Sequence, residues 1–372
     1  MGFGIVVPIL AFCAKEYGAS GATLGMILAS FSLMQFLFSP IWGRLSDRIG
    51  RRPVLMTSLL GSTIGFVIFA FASSVALLFA SRILSGIASA SISTAQAYVA
   101  DTTDESNRSK GMALIGMAFG LGLVLGPPIG GLLSTVGHYA PNVIPGIAAA
   151  LLSATALLMA IFFLPESSTH RSTGRWALLD HESWSMFFRT RGLRLAGGSL
   201  AVLMFTLASL APILVLIGRD DFALTSRQVG YLFGLMGVVV VIVQWLLIER
   251  FTKRIGDLAT GIVGAVALIA GLLLVPFTIV VATCLMGVGQ GFCNPTLSAY
   301  ISKVAPPEHR GGILGVSTSL NALARVIGPP LAGFAYDAFR APGALLSQAA
   351  VVIVGIALSI RALAGARESR LP

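Results

Sequence analysis

Runs of about twenty apolar residues recur along the whole of this 372-residue chain, broken only by short polar stretches. A run of that length, coiled as an α-helix, crosses the roughly 30 Å of hydrocarbon in a bilayer. Hydrocarbon offers no partner for backbone N–H and C=O groups, so only helices and closed barrels can span it. Charged residues make up only 11% of the chain, against about 25% in a soluble globule. Mean hydropathy is +0.89. A soluble multidomain protein is excluded, and the pattern specifies an all-α membrane protein. The 42 glycines fit, because small residues let helices approach closely in lipid.

The spacing predicts twelve transmembrane helices, approximately Gly2–Ala14, Thr23–Trp42, Val54–Ala72, Val75–Val99, Gly111–Leu133, Val143–Leu164, Leu195–Ile217, Val229–Ile248, Leu258–Val275, Phe277–Ile301, Gly312–Phe334 and Ala344–Leu363. Connections are short except Pro165–Arg194, which is polar and Arg-rich. It divides the chain into a bundle of six helices over 1–164, a linker over 165–194 and a second bundle over 195–372 with a short tail.

Lys and Arg in short loops keep those loops on the cytoplasmic side. Alternate loops here carry Arg44, Arg48, Arg51 and Arg52; Arg108 and Lys110; Arg171, Arg175, Arg189, Arg191 and Arg194; Arg250, Lys253 and Arg254; Lys303 and Arg310; and finally Arg361, Arg367 and Arg370. The opposite loops hold only Lys15, Arg219, Arg227 and Arg340. Both termini are therefore expected in the cytoplasm, in a multi-pass protein of the plasma or inner membrane. The net charge of +10 is topology charge rather than a nucleic-acid footprint. Cys13, Cys284 and Cys293 sit in apolar segments without paired spacing and read as packing residues. The first apolar run lacks a basic lead, so no cleavable signal is expected. That run is also short, about a dozen residues before Lys15, which raises the expectation that the true first helix begins upstream.

The halves repeat each other. Val124-Leu-Gly-Pro-Pro-Ile-Gly-Gly131 matches Val326-Ile-Gly-Pro-Pro-Leu-Ala-Gly333, and at the same spacing Tyr98 matches Tyr300 and Arg108 matches Arg310. Arg250-Phe-Thr-Lys-Arg-Ile-Gly256 reads as a worn copy of Arg44-Leu-Ser-Asp-Arg-Ile-Gly50, with Lys253 in place of Asp47. Internal repeats of this kind are common in secondary transporters.

The hydrophilic stretch Gly43–Leu55 reads as a loop in which Gly43 and Gly50 permit a tight turn and Pro53 opens the next helix. Asp47, amid Arg48, Arg51 and Arg52, reads as a charge latch, with Asp101, Asp104 and Glu105 near Arg108 in the same network. The pattern G-x-x-x-D-R-x-G-R-R-P resembles the loop between helices two and three of the major facilitator superfamily. Arg82-Ile-Leu-Ser-Gly86 resembles the helix-four motif of its drug:proton antiporters. Gly122-Leu-Val-Leu-Gly-Pro-Pro-Ile-Gly-Gly131 fills the antiporter motif G-x-x-x-G-P-x-x-G-G through Gly122, Gly126, Pro127, Gly130 and Gly131. The resemblance is to twelve-helix bacterial multidrug and tetracycline exporters. It implies alternating access of two six-helix bundles, a gate at Gly43–Arg52, a hinge or seal at Gly126–Gly131, and proton coupling that involves Arg82 and Asp47.

Polar residues at membrane depth mark the expected substrate path. Arg82, Ser85, Ser89, Ser93 and Gln96 share one helical side; Ser317, Asn321 and Arg325 form another stripe; Gln290 and Asn294, Ser32, Gln35 and Ser39, and Gln244 add to it. They are expected to line a watery cavity. No Asp or Glu lies deep in any span. Tetracycline exporters, by the resemblance, carry an acid before the helix-one glycine and ionisable residues in helices eight and nine. Gly230–Ile248 and Leu258–Val275 contain none, which argues against tetracycline as substrate. The leading reading is proton-driven export of a small amphipathic compound by a monomer in the lipid bilayer, with no cofactor beyond the proton gradient and no nucleic-acid partner. The rivals are a proton-independent or symporting facilitator for a sugar, organic acid or other metabolite, and a transport-dead scaffold. A membrane enzyme lacks any nucleophile or metal constellation, His138, His170, His181 and His309 being scattered in loops.

Overall fold

The computed structural model describes residues 2–103, 105–136, 140–167, 181–306 and 309–368, with the side chains of a few residues inside these ranges, Ser93 among them, outside the description. Among the described residues the regular structure is helical throughout. The helices are α1 (Gly2–Glu16), α2 (Gly21–Ile49), α3 (Arg51–Ala70), α4 (Val75–Ser89), α5 (Ile92–Thr102), α6 (Glu105–Leu133), α7 (Val143–Phe163), α8 (His181–Arg189), α9 (Arg191–Asp220), α10 (Ser226–Ile242), α11 (Ile248–Ile255), α12 (Asp257–Leu274), α13 (Ile279–Val304) and α14 (Arg310–Glu368).

Twelve spans emerge when the breaks are read physically. A bend at Ala90–Ser91 separates α4 from α5 within one span, and a π-helical turn at Val243–Leu247 joins α10 to α11. Non-helical Arg340 divides α14 into two. Among the described residues, eight helical stretches, one of them Gly312–Gly365 across that division, are long and apolar enough to cross a membrane. α1 is shorter, at 15 residues.

Two differences from the sequence reading have clear causes. Gly43–Ile49 is not a loop but the last two turns of α2, and Gly50 alone joins it to α3. Charge ends the hydrophobic span, yet solvated Arg and Asp side chains are compatible with a helix that continues into water. Within the expected linker loop, His181–Arg189 forms α8, and α9 starts at Arg191. Trp184, Phe187 and Phe188 lie three and four residues apart and share a face, a signal diluted by the surrounding arginines. Phe187 is buried, over Gly197, where a Cβ would come within 2.1 Å of its ring.

The chain forms two compact units, Met1–Trp176 with Ala223–Gly234, and Ala177–Phe222 with Leu235–Pro372. In the first, α1 is the central helix, with Ile5, Val6, Ile9 and Leu10 fully enclosed. In the second, α9 plays that part through Leu200, Leu203, Ile213 and Leu216, and Ser199 bonds across to Ser359 at 2.7 Å.

Candidate functional site: buried arginine, glycine seams and the charged helix ends

At the charged end of the first unit, four elements meet on Arg51. Its guanidinium bonds to Asp47 on α2, to Ser46 Oγ at 2.6 Å, and to Asp101 at the end of α5 at 3.2 Å. The two carboxylates accept from the Arg51 guanidinium and offset the cost of its partial burial. Glu166, beyond the end of α7, caps α3: its carboxylate accepts the backbone N–H of Arg51 at 2.8 Å and of Arg52 at 3.2 Å. The first N–H groups of a helix have no partner within it, and an anion there also meets the positive end of the helix dipole. Gly50 makes this possible, because its φ of +106° suits glycine and a Cβ would lie 2.3 Å from Glu166 Oε2. Arg52 reaches the Ile161 carbonyl at 2.6 Å. Exposed Arg48 lies beside Arg44, Ile41 and Leu45 along a groove of about 140 Å³, and Gly43 is an ordinary helical residue of α2. Asp47, Arg51 and Asp101 thus form a clip inside one unit, joined by Glu166, which was not singled out from sequence. The side chains of Asp104, Glu105 and Arg108 lie outside the described residues.

Arg82 is the largest fully buried side chain, 1% exposed. Its Nε donates to Ser81 Oγ at 3.3 Å, and its guanidinium carbon stands 5.7 Å from the Phe69 ring centroid. Both terminal nitrogens lack a hydrogen-bond partner among the described residues. Ser85, one turn on, is buried with its hydroxyl likewise unpartnered there, and Gly65 of α3 gives it room. The start of the predicted polar stripe is therefore enclosed in the first unit rather than lining open space. Ser89 is half-buried and Gln96 exposed; the side chain of Ser93 is not described.

At the bend after α4 three carbonyls accept side chains from neighbouring helices, Ile87 O and Ala88 O in addition to the backbone N–H groups of Ala90 and Ser91 at 3.3 and 3.4 Å. Trp42 Nε1 donates to Ile87 O at 2.6 Å, Ser58 Oγ to Ala88 O at 2.6 Å and Gln35 Nε2 to Ser89 O at 3.4 Å. Gln35, expected in the cavity, is half-buried and reaches this bend. Residues of α2 and α3 thus add hydrogen bonds to the long 3.3 and 3.4 Å backbone bonds that close the end of α4.

The antiporter motif forms two glycine seams. On one side of α6, a Cβ on Gly126 would come within 2.7 Å of the Gly4 backbone, one on Gly130 within 2.2 Å of Ile5 O, and one on Gly4 within 2.3 Å of Gly122 O. α1 and α6 are in backbone contact. On the other side, Gly230 of α10 faces Pro127 O, Gly234 faces the Pro128 ring, and Gly131 faces the Ser226 and Arg227 backbone. Ser134 and Ser226 hydroxyls share a 2.7 Å hydrogen bond there. The start of α10 comes from the second half of the sequence yet packs in the first unit. Small residues at both faces allow such approach; the partner glycines Gly4, Gly230 and Gly234 were not singled out from sequence.

In the second unit, Arg325 is exposed midway along the first part of α14 and Asn321 is half-buried with its carbonyl oxygen unpartnered among the described residues. Asn294 is exposed on α13 and accepts from Ser298 at 3.4 Å, Gln290 is half-buried, and Gln244 is exposed in the π-helical turn. No cluster of metal-ligating residues occurs among the described residues.

Comparison with known proteins decides the family. A sequence model of the Major Facilitator Superfamily matches residues 1–247 and again 195–370. The chain belongs to the major facilitator superfamily. It is a multi-pass membrane transporter with the facilitator fold. The class C tetracycline resistance protein of Escherichia coli is 32% identical over 353 residues, covering 91% of this chain and 87% of the relative. Multidrug resistance protein 2 of Bacillus subtilis is 27% identical, over 97% and 91% of the two chains. Among solved structures, the human organic anion transporter MFSD10 (TETRAN) superposes with a TM-score of 0.70 at 26% identity, covering 96% of this facilitator and 95% of that chain.

Proposed function

We propose that this facilitator exports small amphipathic, drug-like compounds from the cell by alternating access, driven by inward proton movement, as a monomer in the plasma or inner membrane with both termini in the cytoplasm. The observation that carries this reading is the pair of glycine seams around Gly122–Gly131. Helices in backbone contact on two faces, with Pro127 and Pro128 removing two backbone donors between them, form a joint that can slide or part without displacing side chains. Relatives named for tetracycline and multidrug resistance support the cargo class. Within that class we favour cargoes other than tetracycline, since the apolar parts of Ser226–Ile255 and Asp257–Leu274 hold no ionisable side chain. Arg82 is assigned to coupling: an ionisable residue at membrane depth whose terminal nitrogens are unpartnered among the described residues is suited to exchanging partners as protons move. The clip at Asp47, Arg51, Arg52, Asp101 and Glu166 is assigned to gating by keeping its end of the unit rigid.

A second reading has its own observation. Arg325 is an exposed cation partway along a spanning helix, no described acid accompanies it there, and one relative of known structure is titled an organic anion transporter. On this reading the cargo is a carboxylate held by Arg325, carried with or without protons. Everted vesicles distinguish the two. Ethidium accumulation that collapses with a protonophore supports the first reading. Arg325-dependent movement of an aromatic carboxylate, unaffected by the protonophore, would replace it with the second.

A further inference from the structure

The second unit contains a feature that its sequence disguises. Gly50 and Gly256 are equivalent junctions: each is the single residue between two helices, with φ of +106° and +82°, and each donates its N–H to the carbonyl four residues back, Ser46 and Thr252. The residues around them are then equivalent in pairs. Asp47 corresponds to Lys253 and Arg51 to Asp257, while Asp101 corresponds to Lys303 at the same spacing as Tyr98 to Tyr300. In all three pairs the charge is reversed.

The contact between the helix ends follows the reversal. In the first unit Arg51, at the start of α3, pairs with Asp101 at the end of α5. In the second, Asp257, at the start of α12, pairs with Lys303 at the end of α13, 2.6 Å away. The central residue is the enclosed one both times, with side-chain exposures of 14% for Arg51 and 12% for Asp257. Reversing one charge of such a cluster sets like charges together; reversing all of them preserves every attraction. Lys253 is bonded to Glu249 at 2.5 Å, on the turn before Gly256.

We propose that Asp257 and Lys303 are the second unit's version of the Arg51–Asp101 pair with each charge inverted, and that Asp257 is the positioning residue that fixes the start of α12 on the end of α13. The stretch read from sequence as a worn copy thus keeps the helix-to-helix pair with opposite polarity, while Lys253 pairs with Glu249 on its own helix. The alternative role for Asp257 is local: an acid in the first turn of α12 that interacts only with the helix dipole.

Charge exchange separates the two roles. Spin labels at Ala259 and Ser302, with Cys13, Cys284 and Cys293 replaced by alanine, report the spacing of the two helix ends, and the melting temperature of the purified protein gives a second reading. Asp257→Arg alone and Lys303→Asp alone should each broaden the label distance distribution and lower the melting temperature by about 2 to 4 °C. The double exchange Asp257→Arg, Lys303→Asp, which rebuilds the first unit's polarity in this pair and leaves Lys253–Glu249 in place, should restore the narrow distribution and at least half of the lost temperature. Asp257→Glu with Lys303→Arg should leave both readouts unchanged. If the double exchange is as broad and as unstable as Asp257→Arg, Asp257 acts on its own helix and the inverted pair is refuted.

Discussion

Single residues here act through where their charges can go. Gly50 is the sharpest case, because two independent demands fall on it. Its φ of +106° would be strained by about 1–2 kcal/mol for a side-chain-bearing residue, and a Cβ would evict the Glu166 carboxylate from the start of α3. Gly256 has the first demand without the second, since a Cβ there meets nothing within 4 Å. Gly50→Ala should therefore lower the melting temperature clearly more than Gly256→Ala, and Glu166→Gln should account for most of the difference. Asp221, past the end of α9, shows the opposite economy. Burial, then neighbouring Asp220, raise its pKa above the usual 3.8, against a smaller lowering by Arg340. An acid with a raised folded-state pKa destabilises the fold once ionised: stability falls as pH rises from about 3.8 through the raised value and stays lower above it. Asp221→Asn should raise the melting temperature at pH 7 and leave it unchanged near pH 3. Sequence made the arginine–aspartate cluster visible but not Glu166, because a cap across the fold leaves no local spacing signal; the only clue was an acid placed directly after an apolar run.

At the scale of helices, the backbone contacts of α6 divide its glycines into two kinds. Gly130 sits where a Cβ would approach Ile5 O to 2.2 Å, whereas Gly120 on the same helix has nothing within 4 Å. Gly120→Ala should be neutral or stabilising by up to about 1 kcal/mol, the propensity difference between the two residues. Gly130→Ala cannot be accommodated without separating α1 from α6, so it should sharply reduce the amount of folded protein, as fluorescence-detected size exclusion would show. The number and order of the spans were legible from hydropathy, and the motif in α6 was legible as a glycine pattern. Its partners were not, since Gly4, Gly230 and Gly234 look like any other glycine until the helices are placed together. The same holds for the bend after α4. Its side-chain donors are distributed over Trp42, Ser58 and Gln35 on two other helices, where no local spacing announces them.

For the molecule as a transporter, the question is why a fully enclosed arginine persists at Arg82 when its terminal nitrogens bond to none of the described residues. Stability does not explain it. An unpaired guanidinium at membrane depth costs several kcal/mol, and the Phe69 ring face returns only about 2 kcal/mol of that. A static scaffold would be better served by a methionine of similar length, which packs the same space without the desolvation cost. The cost is accounted for if Arg82 gains a partner in some other state of the cycle, so that its unsatisfied charge biases the protein toward that state. Arg82→Met should then leave the melting temperature equal to or above that of the unmodified protein, while ethidium accumulation in everted vesicles falls to the level of empty vesicles. Arg82→Lys, which retains charge but not the planar fork, should recover stability similar to the parent and only a minor part of the activity. Loss of stability in Arg82→Met with proportional loss of transport would make the residue a structural element. Undiminished, protonophore-sensitive transport in that variant would remove it from the coupling mechanism.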